Sequence, residues 1–171
     1  MPALRRLLNR TSLDPMHISI RVLAQSDIEA FLELIHLFED VFEMQDFTAP
    51  DIDHLQEILA KPGFNVIGAF DGELLVGGLT VYTLDQYYSA RPLAYLFDLA
   101  VATRYQRQGV GRKLMAFTTA YFREHGYDEL FVQADRVDAH ALEFYRGTNP
   151  TQVDEVIHFT YEFPKFRSRG E

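Results

Sequence analysis

Residues 93–102, LAYLFDLAVA, form a nearly continuous apolar run broken only by Asp98. A run this short and this apolar suits a strand buried in the middle of a sheet. The chain then reads Gln106-x-x-Gly109-x-Gly111, and beyond it Val110, Leu114, Phe117 and Tyr121 recur at helical spacing until Gly126. Glycine past the last apolar position is a helix stop, so residues 109–125 read as the longest helix. A second apolar stretch, 129–134, reads as another buried strand. Strand, glycine turn, helix and strand in that order require an α/β arrangement.

The flanking segments agree with this. Residues 17–23 alternate as a first strand. Ser26 and Glu29 have capping-box spacing, and Ile28, Phe31, Leu32, Ile35 and Phe38 then recur as a helical stripe to about residue 43. Pro50 opens a second helix carrying Ile52, Leu55 and Leu59, which Pro62-Gly63 ends. Asp71-Gly72 is a hairpin turn between strands at 64–70 and 73–84, with Gly77 and Gly78 a candidate bulge. Asp138 caps a short helix through Arg146, and residues 156–163 alternate as a last strand. The early hairpin predicts a mixed, twisted sheet of six to seven strands flanked by about four helices. At 171 residues this is one domain, expected over 17–164, with an N-terminal arm at 1–16 and a C-terminal tail at 165–171.

The turn after the apolar run carries the most chemistry. Glycine lets backbone approach a ligand closely, and the first N–H groups of a helix have no partner within it. With the helix dipole they form an anion site. Arg104, Arg107, Arg112 and Lys113 concentrate positive charge there in a chain of formal net charge -9. A pyrophosphate is the expected guest, held by Gln106, Arg107, Gln108, Gly109, Val110, Gly111, Arg112 and Lys113. The spacing matches neither the P-loop nor the dinucleotide glycine signature.

Composition removes other classes. There is no cysteine, so disulfides and thiolate chemistry are excluded. The six histidines lack paired metal spacing, and no metal is expected. The acidic balance disfavours nucleic acid and suits a small polycation. No apolar run is long enough to span a membrane, and a cytoplasmic location is expected. Asp98 within an apolar strand is costly unless it is partnered or functional; strand alternation turns it away from Phe97 and Leu99. Asp135 follows the next strand, where a parallel sheet opens its crevice. Asp154 and Glu155 precede the last strand. Glu39 and Glu43 crowd the end of the first helix against its dipole, as one wall of a cation cleft or merely a solvated face.

The glycine loop after an apolar strand resembles that of the GNAT superfamily of acyl-CoA N-acyltransferases, in element order as well as motif, over about residues 17–163. Phe97-Asp-Leu-Ala-Val101, Val132-Gln-Ala-Asp135, Phe144-Tyr145 and Glu155-Val-Ile-His-Phe159 together are similar to class I aminoglycoside 3-N-acetyltransferases. The resemblance implies acetyl-CoA as cosubstrate, its pantetheine arm entering between splayed strands along Leu99, Ala100 and Val101. It implies an aminoglycoside acceptor acetylated at the 3-amino group, and a homodimer. Acids at Asp98, Asp135, Asp154, Glu155, Glu39 and Glu43 would bind ammonium groups. Asp98 would take the amine proton, directly or through water, or only bind a neighbouring ammonium; a backbone N–H near Leu99 would hold the oxyanion, and Tyr145 would protonate the departing thiolate. Another amine, on a polyamine or a peptide lysine, and a non-catalytic CoA-binding module are the competing readings. After the tyrosine the family reads roughly Lys-Leu-Gly; Arg146-Gly-Thr-Asn-Pro150 departs from it.

Overall fold

The computed structural model describes residues 17–163; the arm expected at 1–16 and the tail at 165–171 lie outside the described residues. Strands β1 (Ile18–Val22), β2 (Phe64–Asp71), β3 (Leu74–Leu84), β4 (Leu93–Val101) and β5 (Glu129–Val132) form one sheet in sequence order. The pairs β1–β2, β2–β3 and β3–β4 are antiparallel, whereas β4 and β5 are parallel. Helices α1 (Ile28–Val41) and α2 (Ile52–Leu59) precede β2; α3 (Val110–Glu124) joins β4 to β5, and α4 (Ala139–Arg146) follows β5. The sheet is mixed, as expected, because only the α3 crossover can make a parallel pair.

The two sheet faces build separate cores. Ile67, Leu79, Val81 and Leu96 meet Leu114 and Phe122 of α3. On the other face Val66, Phe70, Leu75 and Ala100 meet Phe31, Leu34 and Phe38 of α1 and Leu55 and Leu59 of α2. Leu34 of α1 is fully buried and comes so close to β3 that a Cβ on Gly78 would lie 2.7 Å from its Cδ1 and 2.7 Å from the Ile67 carbonyl oxygen. Gly78 therefore sets the depth of α1 on the sheet; it is not a bulge. The β2–β3 slip lies beside it, where Ala69 pairs Gly77 but Phe70 pairs Leu75, leaving Val76 as the extra residue.

Two expectations are corrected. Ser26 does not cap α1: the N-cap is Asp27, whose carboxylate accepts from the Ala24 N–H at 2.8 Å and from Arg21 at 2.6 and 3.0 Å. Arg21, whose guanidinium holds the Asp27 carboxyl below its ordinary range, fixes the entry turn one residue later than the capping box predicts. Residues 156–163 form no strand. The sheet has five strands among the described residues, and 152–163 run extended and exposed. The alternation is present in the sequence, but within one copy it has no partner strand.

The Gly78→Ala variant is expected to lose about 1–3 kcal/mol of stability, the usual cost of overpacking. Gly63→Ala, whose Cβ would meet only Thr83 at 3.6 Å, should unfold near the parent midpoint in urea.

Candidate active site

The site is set by an irregularity in β4. Val81 pairs Leu96 and Thr80 pairs Asp98, so Phe97 is an inserted residue. The bulge places Phe97 and Asp98 against the same face of β3. Phe97 packs edge-on to Tyr82 at 5.6 Å, and Asp98 meets Thr80, two residues away on β3. This corrects the simple alternation expected for the two side chains: a bulge restarts the pleat. Pairing between β4 and β5 stops at the same point, with Leu96 opposite Val132 as the last matched pair. From Phe97 to Val101, β4 continues without β5 beside it. Leu99, Ala100 and Val101 thus line an opened sheet edge.

Asp98 is half-buried. The Thr80 hydroxyl donates to its Oδ2 at 3.2 Å, and the Asp98 main-chain N–H reaches the Thr80 Oγ1 at 3.3 Å. Burial raises the carboxyl above its ordinary value, and the Thr80 bond opposes this only in part. Tyr145 lies on α4, packed against the α3-side core. Burial, then the negative charges of Asp98 and Asp138, push its hydroxyl up to about 12. Asp98 and Tyr145 therefore feel each other's charge although they come from different elements. The unusual segment after Tyr145 is well anchored: the Thr148 hydroxyl donates to the Tyr145 carbonyl at 2.7 Å, and the Asn149 N–H to that of Arg146 at 3.3 Å. Arg146-Gly-Thr-Asn ends the helix in its own way without unseating Tyr145.

The glycine loop holds a short 3-10 turn, Thr103–Tyr105. Gln106 donates its side-chain amide to the Val101 carbonyl at 3.0 Å, and Gln108 donates to the Arg104 carbonyl at 2.7 Å. These amides brace the loop on the end of β4. Gly109 caps α3 in the left-handed region at φ 84 and offers no side-chain cap, so the helix's first N–H groups, at Val110 and Gly111, remain open to an anion. Arg107 is also left-handed, at φ 58. The two glycines differ in purpose. Gly109 is required by its backbone angle, whereas a Cβ on Gly111 would stand 3.0 Å from the Phe144 ring. Gly111 lets α4, and with it Tyr145, dock against α3. Arg104, Arg107, Arg112 and Lys113 surround these donors in sequence, so charge and geometry both fit a diphosphate.

The remaining acids are dispersed. Asp135 accepts from the Val137 N–H at 3.2 Å and shapes the turn into α4. Glu155 pairs Arg136 at 3.4 Å on the surface, and Asp154 accepts from Gln152 at 2.7 Å. Glu39 is engaged by His36 at 3.1 Å. Glu43 follows α1 with a left-handed backbone at φ 51. None of these contacts joins them to Asp98. Among the described residues no group of three or more His, Asp or Glu is placed to hold a metal, and no helix is long and apolar enough to cross a membrane.

Sequence reasoning missed Thr80 and Tyr82, the β3 residues that meet Asp98 and Phe97. Asp98 and burial together raise the Tyr82 hydroxyl. It also missed an aromatic row across the sheet, in which Phe64–Tyr82, Tyr82–Phe97, Phe97–Tyr95 and Tyr95–Phe131 stand 5.1, 5.6, 5.8 and 4.8 Å apart. Alternate aromatics in residues 93–97 were the available signal.

Comparison with known proteins matches this arrangement. The crystal structure of an aminoglycoside acetyltransferase, meta-AAC0020, from an uncultured soil metagenomic sample in complex with sisomicin is 50% identical, with a TM-score of 0.85, over 86% of this chain and 97% of that one. A second soil-metagenome aminoglycoside acetyltransferase, HMB0005, shares the fold at 24% identity and a TM-score of 0.81, over 87% of this chain and 100% of that one. Rat (Rattus norvegicus) N-acetyltransferase 8B is 25% identical over 95 residues, which span 56% of this chain and only 43% of that relative. A family model described as Acetyltransferase (GNAT) family matches residues 31–148, more than half of the chain and the whole span from α1 to the end of α4. The chain belongs to the GNAT family of acetyltransferases, and it transfers acetyl groups from acetyl-CoA to an amine.

Proposed function

We propose that this protein acetylates an aminoglycoside, at its 3-amino group, by direct attack of the amine on acetyl-CoA in a ternary complex. The observation that carries this reading is the 50% identity, over 86% of the chain, to an aminoglycoside acetyltransferase crystallised with sisomicin. The net charge of -9 favours a polycationic acceptor, because a field of one sign draws its counter-ion towards the site. The protein is proposed to work in the cytoplasm, as a homodimer and without nucleic acid.

In this reading the open N–H groups at the start of α3, with Arg107, Arg112 and Lys113, hold the pyrophosphate. Gln106 and Gln108 keep the loop in shape. The edge of β4 freed beyond Leu96 receives the pantetheine arm, and a backbone N–H among Leu99, Ala100 and Val101 stabilises the developing oxyanion. A protonated amine cannot attack a thioester. Asp98, raised towards neutrality by burial, is placed to take its proton, and Thr80 fixes the carboxylate's orientation. Tyr145 keeps its proton at every working pH and donates it to the leaving sulfur. Asp135, Asp154, Glu155, Glu39 and Glu43 contribute further negative charge for the acceptor's other ammonium groups.

Asp98→Asn is expected to lower kcat roughly 10²–10⁴-fold while acetyl-CoA binding, read by calorimetry, stays near normal. Parental turnover in that variant would exclude Asp98 as the base. Its stability should move the other way. A carboxyl raised in the folded state favours folding only at pH below its unfolded value, and ionisation costs stability as pH rises through the folded value. At neutral pH Asp98→Asn should therefore melt at the parent temperature or above it.

For the pH dependence, kcat/KM should fall with acid as Asp98 is protonated, the limb centred above the ordinary carboxyl value of 3.8. It should vanish in the residual activity of Asp98→Asn. No alkaline limb from Tyr145 is expected below pH 11, because its hydroxyl titrates at about 12. Tyr145→Phe should cut kcat roughly 10²-fold with little change in acceptor KM, measured by thiol release; an unchanged kcat would remove the tyrosine from the reaction.

A further inference from the structure

Residues 156–163 carry a pattern that one copy of the chain leaves unused. Ile157, Phe159, Tyr161 and Phe163 alternate with Val156, His158, Thr160 and Glu162, so in an extended strand one face is wholly apolar and the other mixed. The four apolar-face residues are 74–85% exposed. An apolar patch of this extent on a monomer marks an interaction surface. The segment leaves the body beside the loop after β5, where Glu155 pairs Arg136.

The matching surface lies on the same molecule. β5 pairs only with β4, so its outer edge presents unpaired backbone groups, a template for another strand. On one side of β5, Leu130 and Val132 are already packed in the core with residues of α3 and α4. On the other side α1 and α2 cover β2, β3 and the end of β4 but stop short of β5. There the aromatic row ends uncovered, with Phe131 stacked on Tyr95 at 4.8 Å and Phe97 56% exposed beside them. An open edge flanked by an uncovered aromatic face is complementary to a strand with one apolar face.

We propose that residues 156–163 of one copy add as a sixth strand to the β5 edge of a second copy, laying Ile157, Phe159 and Tyr161 over its Phe131–Tyr95 shelf. By two-fold symmetry the second copy returns its own segment to the first. The exchange closes both open edges, covers both aromatic shelves and buries both apolar segments. A self-complementary contact of this kind closes at two copies. It goes beyond the proposed reaction and holds whatever amine the enzyme accepts.

Light scattering on the full chain should give twice the 19.7 kDa monomer mass. The double variant Ile157→Asp/Phe159→Asp should give the monomer mass with an unchanged far-UV spectrum, because both residues are exposed within one copy. Hydrogen exchange should show the amides of 156–163 and 129–132 protected in the parent and jointly deprotected in the variant. A monomeric parent would overturn the proposal, including one in which 156–163 are protected, since that would mean the segment folds back on its own β5. A dimer that survives the double substitution would overturn it equally, by locating the interface elsewhere.

Discussion

The rest of the site depends on one inserted residue, Phe97, in β4. It shifts the β3–β4 register between Leu96 and Asp98, and β5 leaves β4 at that same place. A flat, fully paired β4 would present Asp98 to one face and spend both of its edges on neighbouring strands. The bulge instead turns Asp98 onto Thr80 and leaves the following residues with one edge unpaired. A strained, twisted point in a sheet is where pairing most readily ends. The carboxylate and the opened edge are therefore two consequences of one local distortion. Because Asp98 and Leu99 are consecutive, the chemistry that each would perform is held in register by the backbone itself.

The glycine loop solves a different problem in the same economy. The protein is strongly acidic, yet an anion must be held. Gly109 leaves the first turn of α3 without a side-chain cap, so its donors are not spent internally, and Gln106 and Gln108 supply the hydrogen bonds that keep the loop from collapsing onto them. Gly111 then has no need to face the anion, and it instead admits the Phe144 ring. One short stretch thus positions the expected cosubstrate grip and, through α4, the tyrosine that would finish the reaction.

Much of this was legible in the amino-acid order. The run at 93–102, the helix after Gly109, the Asp71-Gly72 hairpin and the Asp138 cap all declare themselves through short-range rules, because the interactions that fix them are local. What was not legible depends on partners distant in sequence. Nothing near Asp98 indicates that Thr80 will meet it, because the pair is created by register. The bulge at Phe97 is a property of two strands read together. Ser26 fails as a cap because Arg21 claims Asp27. The alternation at 156–163 is a true strand signal, but alternation says only that one face wants cover; it does not say which molecule supplies the cover. The scattered acids from Glu39 to Glu155 show the opposite limit, since charge alone does not fix position.

The electrostatic link between Asp98 and Tyr145 gives the proposed chemistry an order. With Asp98 ionised, its charge helps to hold the Tyr145 proton, pushing the hydroxyl up to about 12. A phenol that weakly acidic is a poor donor to a thiolate, whose conjugate acid ordinarily titrates near 8.5. Once Asp98 accepts the proton of the attacking amine, that part of the hold disappears and Tyr145 becomes the stronger acid, at the stage when the sulfur begins to leave. Burial keeps both groups protonated more readily than water would, so neither loses its proton to solvent in the meantime. The two residues need not touch for this to work; they need only share a poorly solvated space, which the packing of α4 on Gly111 provides.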